Sequence, residues 1–142
     1  MSAGSGQVAE FFWAPLRYRA RWALVIAAVI GALAHIPVLV EHLREAPYMG
    51  EEFIVLMVAC LLIAVACLVC DSAAVYALAV LTCGLAVVGY ILTRLVAFPE
   101  LADDVGNWLE PLGVVSVLAE STVVAIAAAA LAGQRAAHAE GR

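Results

Sequence analysis

Two of the three histidines and four of the carboxylates in the 142-residue chain fall in one stretch, His35 to Glu52, HIPVLVEHLREAPYMGEE, between two long apolar runs. His35 and His42 are seven residues apart, which on a helix places them on one face, two turns apart. Glu45 joins that face three residues beyond His42, with Glu41 beside it. Imidazole together with carboxylate is a ligand set for zinc, iron, manganese or copper. Pro37 lies on the way and is expected to kink the helix and free a carbonyl near His35. Carboxylate-rich bundles build two-metal sites from paired Glu-x-x-His motifs. Here the order is reversed, His42-x-x-Glu45, and no second pair occurs, which argues against a di-metal centre within one chain.

Glu120 stands inside another apolar run, where an ionisable side chain is costly and usually faces a partner in the protein interior. At about 1.5 Å per residue, His35 lies roughly 20 Å from the end of its run that is nearer the termini. Glu120 lies roughly 18 Å from the same end, and Cys60 and Cys83 roughly 15–16 Å, so the four share a layer. The expected metal-ligating set is therefore His35, His42, Glu45 and Glu120. Glu41, Cys60, Cys83, Tyr90, Arg94 and Glu110 are secondary candidates. The alternatives for His35 and Glu120 are a hydrogen-bonded pair that fixes helix register, or a proton or ion relay. Arg94 reads first as structural, snorkelling outward or pairing with Glu110 or Glu41. Cys67-Leu-Val-Cys70 is a C-x-x-C motif, but it closes an apolar run rather than opening a helix, and thiols among Ala, Val and Leu serve mainly as small hydrophobes.

The elements that position these residues are membrane spans. The chain is 66% hydrophobic and 13% charged, far more apolar than a soluble domain. Four runs, about 22–40, 53–70, 72–98 and 111–132, approach or exceed the length that crosses a bilayer. They show no alternating barrel pattern, which predicts an all-α, four-transmembrane-helix bundle. Small residues recur at spacings of three and four along each run, as in Tyr76, Ala79, Cys83, Ala86, Tyr90 and Thr93, and mark the packing faces. Asp71 and Ser72 alone join the second and third spans, predicting a tight antiparallel hairpin, whereas Glu41–Glu52 and Pro99–Glu110 read as longer joins. Residues 1–21 read as a disordered tail followed by an interfacial segment of aromatics and arginines, and 133–142 as a second tail.

Orientation follows from arginine placement. The side holding both termini carries Arg17, Arg19, Arg21, Arg135 and Arg142, and the opposite side only Arg44 and Arg94 among eight carboxylates. The positive-inside rule then places both termini in the cytoplasm of a bacterial cell, with the acidic joins facing outward from the plasma membrane. The expected partners are the lipid bilayer and either further copies of the chain or a larger membrane complex, and not nucleic acid. Phosphate-binding glycine loops, nucleophile elbows, HExxH and EF-hand patterns are all missing from the sequence.

His35, Glu41-His42-x-x-Glu45, Gly50-x-x-Phe53, Thr93-Arg94 and Glu110-Pro111-x-Gly113 with Glu120 together resemble uncharacterised four-span membrane proteins of actinobacteria. The resemblance runs from His35 to Glu120 and implies a four-span membrane fold without naming an activity. The function expected from the residues is binding or handling of a divalent transition metal at an outward-facing His/Glu site. The alternative is an accessory subunit of a larger membrane complex, with a proton relay or membrane-embedded enzyme third.

Overall fold

The computed structural model describes residues 12–140, so the polar stretch 1–10 lies outside the described residues. Four long helices account for most of the chain: α1 Arg21–Glu45, α2 Pro47–Val69, α3 Ala73–Leu95 and α4 Pro111–Glu140. A single 3-10 turn, Ala102–Asp104, interrupts the longest connection. All four helices are long and apolar enough to cross a membrane, and the chain is a multi-pass membrane protein built as an all-α four-helix bundle.

The stretch from Glu41 to Glu52 is helical apart from one residue. Pro37 is accommodated inside α1, which continues to Glu45, and Pro47 begins α2 at its first turn, where a missing N–H costs nothing. Ala46 alone turns the chain, fully buried, donating its N–H to the His42 carbonyl at 2.9 Å and accepting from Gly50 at 3.2 Å. The corner is tight enough that a Cβ on Gly50 would lie 2.9 Å from the Leu43 Cα, so glycine is required by the close crossing of α1 and α2. At the other end of the molecule α4 runs past residue 132 to Glu140, extending as helix through most of the stretch read as a tail.

Small buried residues set the packing. Leu24, Ala28, Ile63, Cys67, Tyr76, Ala79, Val123 and Ala127 form the centre of the core. Around the bundle α1 lies between α2 and α4, and α3 packs against α4. The seam between α2 and α3 is the smallest of these interfaces, although residues 70–72 alone join the two helices. Large aliphatic side chains such as Ile26, Ile30, Leu33, Leu62, Leu85 and Leu118 point outward, the arrangement of a bundle solvated by lipid tails.

Candidate functional site

His35 sits on the buried face of α1, four residues after Gly31, and its Nδ1 bonds the Gly31 carbonyl at 2.8 Å. A ring N–H must occupy Nδ1 to donate to that oxygen, which leaves Nε2 as the second functional atom. Nε2 faces Oε1 of Glu120 across the α1–α4 interface at 4.0 Å. The two side chains are 8% and 3% exposed, and Glu120 Oε1 has no hydrogen-bond partner. A Cβ at Gly31 would stand 3.7 Å from Glu120 Cγ, at ordinary contact distance, so α4 packs closely beside this position.

Cys60 lies on the buried face of α2 and Cys83 on that of α3. Both thiols are buried, and neither forms a disulfide. Each of the four helices thus buries one of the candidate side chains in the bundle interior, and of these His35 and Glu120 face one another.

His42 is separated from this group. Its Nδ1 bonds the Val38 carbonyl at 2.9 Å, repeating the His35 arrangement one face-repeat along. The Phe53 ring of α2 contacts both imidazoles, with centroids at 4.7 Å from His35 and 4.8 Å from His42. Those two distances together roughly match the ~10.5 Å rise of seven helical residues, so Phe53 lies between the histidines. Glu41 and Glu45 are exposed near the α1–α2 corner. Of the expected set, the structure brings His35 and Glu120 together and leaves His42 and Glu45 apart from them. Among the described residues, no group of three or more His, Cys, Asp or Glu side chains is placed to hold a metal ion.

The remaining candidates belong to the helix ends opposite the termini. Arg94 is buried and pairs with Asp104 at 3.0 Å, rather than with Glu110 or Glu41. Its guanidinium also donates to Thr93 Oγ1 at 3.2 Å and lies 4.6 Å from the Tyr90 ring centroid. Tyr90 donates to the Trp108 carbonyl at 2.9 Å. Glu110 caps α4, accepting from the Leu112 N–H at 3.0 Å and from the Gly113 N–H. These three side chains fasten the 96–110 connection to the bundle.

Two residues that matter structurally carried little sequence signal. Phe53 looked like one more apolar residue at a span's start. Asp71 looked like a turn residue, yet it is buried and accepts from Tyr76 Oη, from the Tyr18 N–H at 3.1 Å and from Arg21 Nη1 at 3.0 Å. The one available clue was a lone carboxylate between two uninterrupted apolar runs. No protein-family model, curated protein or solved structure matches the chain.

Proposed function

We propose that this membrane protein takes up and passes a proton at the His35–Glu120 pair. The observation that carries the reading is the unpartnered Glu120 Oε1 facing His35 Nε2 at 4.0 Å inside the bundle. Two groups that each hold or release a proton face one another, with the imidazole's other nitrogen fixed by Gly31. The gap exceeds a hydrogen bond, so transfer needs a shift of about 1 Å or one bridging water. A zinc, iron or manganese ion takes four or more ligands, whereas the pair supplies two, and a proton needs only those two. Phe53 separates the pair from the half-buried His42 imidazole nearer the α1–α2 corner, so exchange in that direction requires the ring to move.

The reading is tested by following the imidazole nitrogens by NMR in lipid nanodiscs across a pH titration, in parallel with proton flux into liposomes. His35 is expected to change protonation in the parent, with its midpoint moved in E120Q and not in E45Q, and E120Q is expected to lower the flux. A His35 signal that keeps one protonation state from about pH 4 to 10 in parent and E120Q alike, with no flux, leaves the pair as a register lock.

A further inference from the structure

His42 repeats the His35 arrangement seven residues along α1, its Nδ1 bonded to the Val38 carbonyl at 2.9 Å as that of His35 is to Gly31 at 2.8 Å. Both rings therefore carry a proton on Nδ1 and present Nε2 as the atom that gains or loses one. The Phe53 ring of α2 touches both, its centroid 4.7 Å from that of His35 and 4.8 Å from that of His42. We infer that the proton taken up by the His35–Glu120 pair enters from the α1–α2 corner by way of His42, and that the Phe53 ring is the gate between the two imidazoles. The route rests on the proton reading of that pair and adds to it the residue that delivers the proton and the one that controls delivery.

Burial sets the direction. His35 is 7% exposed, whereas His42 is half-buried, and the charged residues flanking the corner, Glu41, Arg44 and Glu45 on α1 with Glu51 and Glu52 on α2, are exposed. On the termini side of the pair, α1 leads back through Ala28 and Leu24 and α4 onward through Val123 and Ala127, all buried in the apolar core with Ile63 of α2. Between Arg21 and His35 α1 carries no ionisable side chain, so His42 is the one further imidazole that this helix offers. Seven residues rise ~10.5 Å, several times the ~2.8 Å of a hydrogen bond, so the proton crosses on water rather than from ring to ring. With Phe53 in place that interval is filled by hydrocarbon. When the ring swings aside water enters, the His42 imidazolium gives it the Nε2 proton, and a proton passes from water to His35 Nε2 and on to the Glu120 carboxylate. One proton moves and both imidazoles end neutral, after which solvent at the corner protonates His42 again.

The test measures pH-driven proton flux of the full chain in liposomes together with the His35 imidazole signals in nanodiscs. H42A is expected to lower flux about tenfold or more, the scale of a lost acid–base group, while His35 still titrates. Added imidazole is expected to restore that flux, which it would not do for a side chain that only packs. F53A is expected to raise flux severalfold and, combined with H42A, to lessen the loss, because water then reaches His35 directly. Circular dichroism verifies that each variant is helical, and if F53A does not fold, F53L carries the same expectation with a smaller rise. A parent in which His35 keeps one protonation state and no flux appears overturns the proton reading and the route with it. A parent that titrates and conducts, with flux unchanged in H42A or in the Phe53 variants, overturns the route alone. A loss in H42A that imidazole does not restore makes His42 a packing residue and overturns the route as well.

Discussion

Asp71 and Tyr76 meet in the buried turn between α2 and α3, the phenol donating to the carboxylate from a side chain with no solvent exposure. Asp71 adopts a positive φ of 41°, and its backbone carbonyl accepts from the Leu16 N–H at 2.8 Å. One residue therefore ends a helix pair and docks the segment before α1. D71A is expected to cost about 3 kcal/mol, because the Tyr76 hydroxyl and the Tyr18 N–H lose their acceptor in a site water does not reach. R21A is expected to cost about 1 kcal/mol, as the Arg21 side chain is 31% exposed. Thermal unfolding in detergent compares the two, and equal losses would show that the ion pair, rather than the buried acceptor, dominates.

Glycine is required at one helix contact and tolerated at another. A methyl group at Gly50 would meet the Leu43 side chain at 2.6 Å and its Cα at 2.9 Å, and backbone cannot yield as a side-chain tip does. G50A is expected to destabilise by about 3 kcal/mol through overpacking at the corner. At Gly31 the nearest atoms are at 3.7 and 3.8 Å, so G31A is expected to stay within about 1 kcal/mol of the parent, near the helix-propensity gain of alanine. Unfolding midpoints that fall equally for both would contradict the geometry.

Arg94 controls the 96–110 connection. Its backbone carbonyl accepts from the Gly106 N–H at 3.0 Å while its side chain holds Asp104. R94A is expected to speed amide exchange of residues 101–108 on the order of tenfold, with little change in α1 or α2. R94K is expected to recover only part of the protection, since a lysine ammonium lacks the planar fork that touches Asp104, Thr93 and Tyr90 together. Hydrogen exchange read by mass spectrometry separates these outcomes.

Phe53 couples the two imidazole environments without bonding them. F53L is expected to move the ring resonances of His35 and His42 together, because both lose the same neighbouring aromatic face. Its stability cost is expected to be about 1–2 kcal/mol. A shift confined to His42 would mean that the ring does not reach His35 in the membrane.

The fold was legible because bilayer physics leaves few choices. Apolar length, small-residue seams and the need to satisfy backbone hydrogen bonds specify four helices, and Ala28, Gly31, His35, Cys60, Ala64, Cys67, Tyr76, Ala79 and Cys83 all occupy the buried faces that spacing predicts. Counting rise per residue also put His35 and Glu120 at a common depth, where the two face one another. The sequence did not show what lies between residues on the same face. His35 and His42 have ideal spacing for a shared ligand, yet Phe53 comes from another helix and fills the interval. Helix ends were also harder to read, since VEHLRE looks polar enough for a loop, and only the buried Ala46 and the Gly50 contact show that helix continues on both sides of a one-residue turn. Arg94 had several carboxylates within plausible reach, and the choice of Asp104 depends on the 3-10 turn that the connection adopts.

The order of helices around the bundle has a consequence for biogenesis. α1 packs against α2, its neighbour in sequence, and against α4, the helix synthesised last. The first two spans can associate in the bilayer as soon as both are inserted, in keeping with membrane helices that form individually and then assemble. The second face of α1 has to wait for translation to pass residue 111. Until then His35 has no carboxylate opposite it, and Gly31 and Ala28 present an open notch to lipid. Docking of α4 is the event that covers His35 with its carboxylate partner.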